Sequence, residues 1–314
     1  MKKSFIYLIV MLCACSSSFA QKNHPGVDYN DVIVGEHRVL LTLVTDYLVQ
    51  TVHSDDFKGI EQKRLQVISQ VESAIEKIKA LGSFEGDTKM RDEALAVLGM
   101  YKEAYTQDFN TINSLKAKSQ ESYQAMAQYL MAEEMAEVKL NNTLKRFNKA
   151  QQEFAKRHNL IIDMGEEVHP MDIIFQVYKY NREVFLQYFK VFIQNEACLN
   201  ALSKHDGDLL EQERLKLLKY AHEAEARLMT MKAYKKEVDY KQSAINYVVF
   251  HQASAQKWMA ELAQLFKKPT LTQADIHKAN DLIDTYNIGL GKAEDDFNHA
   301  NISLLQTYIP QELD

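Results

Sequence analysis

Two short acidic corners, one in each half of the sequence, combine a histidine with two aspartates. They contain His53, Asp55 and Asp56, and His205, Asp206 and Asp208. Imidazole and carboxylate side chains within one turn can bind a divalent cation. Aspartate is also a preferred residue at a helix start, where its side chain accepts hydrogen bonds from free N–H groups and complements the helix dipole. We favour this second interpretation and expect Asp56 and Asp208 to cap helices, with a metal site at the corners as the alternative.

Cys198 is the only cysteine beyond the first twenty residues, so a chain exported without them has no internal disulfide. It shares an apolar face with Val191, Leu199 and Leu202, which indicates a buried thiol and not a nucleophile. We recognise no spacing in the sequence that pairs a nucleophile with a base. We therefore predict no enzymatic activity, no catalytic residues and no cofactor.

Aromatic side chains crowd one stretch of the second half. The candidate contact residues among them are Phe175, Tyr178, Phe185, Tyr188 and Phe189. Spacings of three, four and seven indicate the buried face of a helix, but the aromatic residues exceed one face. The surplus could form the contact between the two halves or line a pocket for an apolar ligand, and the sequence leaves both open.

The elements that position these residues are helices, and the sequence contains them twice. Residues 61–65, Glu-Gln-Lys-Arg-Leu, return as Glu-Gln-Glu-Arg-Leu at 211–215, and the apolar positions keep step at this offset of 150 for about fifty residues. The four prolines fall where helical periodicity stops, and no alternating run typical of strands occurs. Because a fixed internal period indicates a repeated unit, we predict an all-α fold, a tandem duplication of an antiparallel four-helix bundle.

The period also predicts the bounds of the helices and domains. We expect a signal peptide at 1–20, a first bundle at 21–158, a connector at 159–170 and a second bundle at 171–314. The expected helices lie near 29–53, 57–81, 87–115 and 119–158, and near 171–203, 207–230, 235–266 and 272–308. Phe154 matches Phe297 at an offset of 143, which predicts that the last helix lacks about seven residues.

The first twenty residues have the layout of a secretory signal. Lys2 and Lys3 precede an apolar run, and Ser18-Phe19-Ala20 supplies small residues before a cut at Gln21. Leu12-Cys13-Ala14-Cys15 also resembles a lipobox, in which Cys15 would be lipidated. Both interpretations place the protein outside the cytoplasm, in the periplasm or at the cell surface, with peripheral membrane attachment only if Cys15 carries lipid.

The charge balance excludes some partners. The chain carries 37 basic and 43 acidic residues, a formal net charge of -6. Nucleic acids and anionic membrane surfaces both require a basic footprint. We therefore expect no nucleic-acid partner.

The signal ends in Ser18-Phe19-Ala20-Gln21, and the two halves open with Tyr29-Asn30 and Tyr180-Asn181. With the helical pattern, these motifs resemble an uncharacterised family of exported, all-helical bacterial surface proteins. The resemblance implies a surface or periplasmic location and supplies no catalytic residues. We expect a non-catalytic binding or scaffolding module for an unknown envelope or surface protein. The alternative is a periplasmic binder of an apolar small molecule.

Overall fold

The computed structural model of the protein describes residues 24–54, 56–162 and 170–309. Across these residues the chain is helical, and the bridge between Phe84 and Asp87 is the only extended pairing. The predicted all-α class is confirmed. The signal segment with Cys15, Asp55 and most of the connector lie outside the described residues.

The helices of the first half are α1 (Pro25–His53), α2 (Phe57–Ala80), α3 (Lys89–Glu103), α4 (Phe109–Lys116) and α5 (Tyr123–Arg157). Those of the second half are α6 (Pro170–Ser203), α7 (Gly207–Thr230), α8 (Asp239–Gln256), α9 (Trp258–Phe266) and α10 (Gln273–Tyr308). A π-helical turn, Ala104–Asp108, joins α3 to α4, and a 3-10 turn, Ser119–Glu121, precedes α5.

The starts of the second, third and last helices recur at an interval of 150. The second helices begin at Phe57 and Gly207, and the last helices begin at Tyr123 and Gln273. The expectation of a shortened last helix is wrong, because α5 has 35 residues and α10 has 36.

Two equivalent ring contacts explain this error. His37 stacks on Phe147 with ring centroids 3.8 Å apart, and Tyr188 stacks on Phe297 at the same 3.8 Å. The structural counterpart of Phe297 is therefore Phe147 and not Phe154. The sequence match at an offset of 143 paired similar residues from different turns of the helix.

The expected unbroken helices at 87–115 and 235–266 are also wrong, since both are interrupted near the same relative position. A guanidinium lies at each interruption. Arg64 donates a hydrogen bond to the carbonyl of Tyr105 inside the π turn, and Arg214 donates to the carbonyl of Ala255, 3.3 Å away. A side chain that binds a backbone carbonyl accommodates a local break in the helical hydrogen-bond ladder.

The core of each half follows the helical period. On α2 the residues Val67, Val71, Ala74 and Ile78 are at most 1 % exposed, and on α7 their counterparts Leu217, Ala221, Ala224 and Leu228 are fully buried. These steps of three and four residues keep one face of each helix inward. In the second half α6 contacts α7, α7 contacts α8, and both α8 and α6 contact α10.

The two halves meet where the first turns of α6 pack against α5 and the end of α1. The hydroxyl groups of Thr51 and Tyr178 lie 3.5 Å apart across this contact, and His53 Nε2 lies 3.0 Å from the carbonyl oxygen of Ile309. None of the described helices has both the length and the apolarity needed to cross a membrane.

Candidate functional site

A buried ion pair lies at the junction of the two halves. Arg182 of α6 donates two hydrogen bonds to the carboxylate of Glu137 on α5, at 2.6 and 2.8 Å. Their side chains are only 10 % and 13 % exposed. This bidentate geometry fixes the rotation of α5 relative to α6, because a planar guanidinium fits a carboxylate in few orientations.

A second carboxylate lies one turn before Glu137. Glu133 accepts a hydrogen bond from the hydroxyl of Tyr129, and burial raises the pKa of this carboxyl group. Burial likewise raises the pKa of Glu137 to about 7, although the Arg182 guanidinium acts to lower it. Burial acts to lower the pKa of Arg182, but its hydrogen bonds with Glu137 raise it overall. The Arg182 guanidinium therefore offsets part of the negative charge of two largely buried acids on this face of α5.

Two of the five predicted aromatic residues lie at this junction. Phe175 is 8 % exposed and lines a cleft of about 210 Å³ between α5 and α6, which Glu134, Val138 and Asp172 also line. Tyr178 faces Thr51 of the first half, and burial raises the pKa of its hydroxyl group. These two residues take part in the contact between the halves, which was one of the two roles that the sequence left open.

The other three predicted aromatic residues lie within the second half. Phe185 stacks on Phe189 with ring centroids 5.6 Å apart, and Tyr188 lies parallel to Phe297. Tyr188 also contacts Tyr247 at 4.4 Å. These rings fill the bundle interior by packing against one another.

The outer face of α5 carries a row of exposed apolar side chains beside the cleft. Met131, Met135 and Val138 are 63 %, 62 % and 53 % exposed. Their spacing of four and three residues places them in one line along the helix. Large apolar side chains grouped on a surface are typical of a contact site, whereas single ones are common everywhere.

The acidic corners act at helix starts. The side chain of Asp56 accepts a hydrogen bond from the N–H of Lys58 at 3.1 Å, and that of Asp206 accepts from Leu209 at 2.9 Å. The expected cap at Asp208 is wrong, because α7 begins at Gly207 and Asp208 already lies in its first turn. Asp208 instead pairs with Lys267 at 3.0 Å.

The histidines of the corners have other neighbours. His53 lies beside the Ile309 carbonyl, and His205 packs against the ring of Phe266. In the described part of the chain, which leaves out Asp55, no three His, Cys, Asp or Glu side chains converge to hold a metal ion.

A second cleft, of about 320 Å³, lies between α3 and α5 and is lined by charged side chains. Arg146 bonds Glu93 at 2.6 Å, and Arg157 bonds Asp87 at 2.6 Å. Two of the four cations that line this cleft, Arg146 and Arg157, are therefore engaged with acids of the first half.

A polar cluster occupies the interior of the second bundle. The hydroxyl of Tyr286 donates to the amide oxygen of Asn195 at 2.5 Å, and Cys198 lies one turn further along α6. His251 is fully buried, and neither of its ring nitrogens has a hydrogen-bond partner among the described residues. Burial lowers the pKa of His251 to about 3 and raises that of the Cys198 thiol to about 12, so both groups are neutral at neutral pH. The predicted burial of Cys198 agrees with the structure.

Sequence reasoning missed Arg182, Glu133 and Glu137. A usable signal was present: the two glutamates lie one turn apart, between the buried residues Leu130 and Leu140, and Arg182 interrupts the aromatic helix. Charged residues on otherwise buried faces require opposite charges nearby, so these residues were candidates for an ion pair, although the sequence does not say which helices meet.

Comparisons of the chain with family models, with curated proteins and with solved structures gave no match. The resemblance to exported surface proteins therefore stays a prediction.

Proposed function

We propose that the protein is an exported, non-catalytic binding module of the cell envelope, and that the outer face of α5 is its contact surface. The observation that carries this proposal is the row of Met131, Met135 and Val138 on the surface of α5. Methionine adapts its shape to a partner and is common at binding surfaces. A row of such residues in water is unfavourable unless a partner covers it.

The packing beneath this row supports the proposal. Ala136 and Leu140 on the opposite side of α5 are 6 % and 2 % exposed. The bidentate contact between Glu137 and Arg182 fixes the helix about its axis. A surface held on a rigid helix loses little conformational entropy when it binds.

We further propose that the two halves arose by tandem duplication. The support is a matched contact: Arg64 bonds Glu61 and the carbonyl of Tyr105, and Arg214 bonds Glu211 and the carbonyl of Ala255. All three positions differ by 150 between the halves. A shared hydrogen-bond arrangement around a shared helix interruption extends the sequence period to individual side chains.

The proposal of export depends on the first twenty residues and is tested separately. We expect protein purified from its own envelope to begin at Gln21, or at a lipidated Cys15 if the lipobox is used. Intact mass measurement distinguishes these two forms. A mature chain that retains Met1 would contradict export by a cleaved signal.

The contact surface is tested by photo-crosslinking in the native envelope. A photoreactive residue at position 135 should give a defined cross-linked species, and an additional Met131→Lys change should abolish it. Ile288 on α10 is the matched control, since it is 76 % exposed but its neighbours along the helix, Asp281 and Thr285, are polar. Equal cross-linking from positions 135 and 288 would overturn the proposed contact surface.

A further inference from the structure

We infer that the partner of α5 is the α5 helix of a second copy of this chain, packed antiparallel to the first. This inference rests on the proposed function, because it identifies what covers the α5 surface. Three features carry it: the spacing of the exposed residues, the order of charges along them, and the contrast with α10.

The exposed face of α5 has the spacing of a coiled-coil seam. Eight exposed positions of α5 follow one another in alternate steps of four and three residues: Gln124, Gln128, Met131, Met135, Val138, Asn142, Lys145 and Lys149. The exposed side chains of Glu134, Arg146 and Asn148 lie beside this line. This repeat of 3.5 residues keeps one line of side chains in contact with a neighbouring helix as the two supercoil. The opposite face of α5 is packed in the core, and no helix of the described residues covers this seam.

The side chains along the seam are arranged by type. Apolar residues occupy its centre, and the amides Gln128 and Asn142 flank them on either side. The acid Glu121 lies just before α5, and the bases Lys145 and Lys149 lie near its other end. Glu121 and Lys145 form no ion pair among the described residues. Lys149 forms one long ion pair, with its Nζ 3.9 Å from a carboxylate oxygen of Glu153.

This order favours an identical helix in antiparallel orientation. Antiparallel packing brings the apolar centres together, places Gln128 near the region of Val138 and Asn142, and sets Glu121 beside the lysines of the other copy. A two-fold axis forms each of these contacts twice. Parallel packing would instead place lysine against lysine at one end and glutamate against glutamate at the other. The seam therefore complements itself in one direction only.

The equivalent face of α10 lacks this order. At the interval of 150, Met131 and Met135 correspond to Asp281 and Thr285, and only Val138 has an apolar counterpart, Ile288. The seam is thus a property of one helix and not of helices of this length in general. The α10 helix also supplies matched control positions in the same chain.

The predicted dimer is weak and reversible. Three apolar side chains per copy form a contact at the low end of specific interfaces, which bury less than about 1,200 Å² when transient. We therefore expect a monomer–dimer equilibrium whose position depends on protein concentration.

Sedimentation velocity of the purified chain over a wide concentration range tests the inference. We expect a concentration-dependent dimer that Met135→Lys shifts to monomer and that Ile288→Lys leaves unchanged. Glu121→Lys and Lys145→Glu should each weaken the dimer about tenfold, and the double variant should restore it, because exchanging the charges preserves their complementarity. Circular dichroism of each variant shows whether it is folded. Met135→Lys and Ile288→Lys both change exposed positions, so we expect both variants to fold.

The outcomes separate this inference from the proposed function. A chain that is monomeric at every concentration, or a dimer insensitive to Met135→Lys, overturns pairing through α5. If the purified chain is monomeric while position 135 still cross-links to another protein in the envelope, the proposed contact surface stands and the second copy is excluded. Restoration of the dimer by the double charge reversal supports the antiparallel orientation specifically.

Discussion

The two halves of the chain share most of their helix bounds but differ in the chemistry of their interiors. The first helices α1 and α6 match at an interval of 151, as the equivalent ring contacts of His37 and Tyr188 show, and the other helices match at 150. At three buried positions the first half has Val44, Val97 and Ala136 where the second half has Asn195, Tyr247 and Tyr286. At a fourth position Tyr101 corresponds to His251, and both are fully buried. Most helix bounds recur despite these differences, so the apolar period of the surrounding residues is sufficient to set the order of the helices. The fold accommodates the polar groups in the interior of the second half but does not depend on them.

The junction gives a second comparison between equivalent positions. Arg182 and Glu137 are buried and paired, whereas their counterparts Asp31 and Asn287 are exposed. The first half packs another helix onto its last helix, and the second half presents the equivalent face of α10 to solvent. Charges at these positions therefore report which helix face is covered.

The largest effect should come from breaking the junction pair. Arg182→Ala leaves the carboxylates of Glu137 and Glu133 buried without their cation, and we expect a loss of about 3–5 kcal/mol in the free energy of unfolding. Asp31→Ala, at the equivalent exposed position of α1, should change it by less than about 0.5 kcal/mol. Urea denaturation measures both.

A double variant sharpens this test. Arg182→Met combined with Glu137→Met replaces the pair with apolar groups and should recover most of the loss, because no unpaired charge remains buried. A loss that is equal for Arg182→Ala and Asp31→Ala would show that the junction does not contribute to stability.

The fold was largely predictable from the sequence, and the junction was not. The phase of residues such as Val67 and Leu217 depends only on their own helix, so spacing alone identifies their buried face. The pairing of Glu137 with Arg182 joins helices from different halves, and no local period records which two helices meet. The helix interruptions were missed for a similar reason, since Arg64 reaches the Tyr105 carbonyl from a neighbouring helix.

The buried histidine of the second half should make stability fall in acid. The pKa of His251 is lowered to about 3 in the folded state from an ordinary value of 6.5. Between these two values the unfolded chain binds a proton that the folded chain does not, so stability decreases as pH falls from 6.5 towards 3. Inside this window the free energy of unfolding should fall by up to about 1.4 kcal/mol for each unit by which the pH is lowered.

The first half supplies the variant for this experiment. His251→Tyr installs the residue found at the equivalent position, Tyr101, and removes the titrating group. We expect the difference in unfolding free energy between wild type and variant to depend on pH only below about 6.5. A constant difference across that range would show that His251 exchanges protons equally in both states.

Removal of a buried tyrosine hydroxyl group should have a different effect at two positions, one in each half. Tyr286→Phe leaves the amide of Asn195 without its donor, and we expect a loss of about 1–3 kcal/mol. The hydroxyl of Tyr101 has no partner among the described residues, so Tyr101→Phe should be neutral or stabilising. Thermal unfolding of both variants measures the difference, and equal losses would show that the Tyr101 hydroxyl is bound by water or by a residue outside the described ranges.

The smallest effects should distinguish the capping aspartates of the two corners, Asp56 and Asp206, from Asp208, which pairs with a lysine. Asp56→Ala and Asp206→Ala each remove the acceptor for a free N–H group at a helix start, and we expect losses of about 0.5–2 kcal/mol. Asp208→Ala should cost less than about 1 kcal/mol, because its side chain is 81 % exposed and its ion pair with Lys267 is screened by water. Urea denaturation with and without added zinc or calcium checks both the order of these losses and the metal alternative. A rise in stability with either metal in the wild type, absent in Asp56→Ala and Asp206→Ala, would show that the corners bind a cation and do more than cap the two helices.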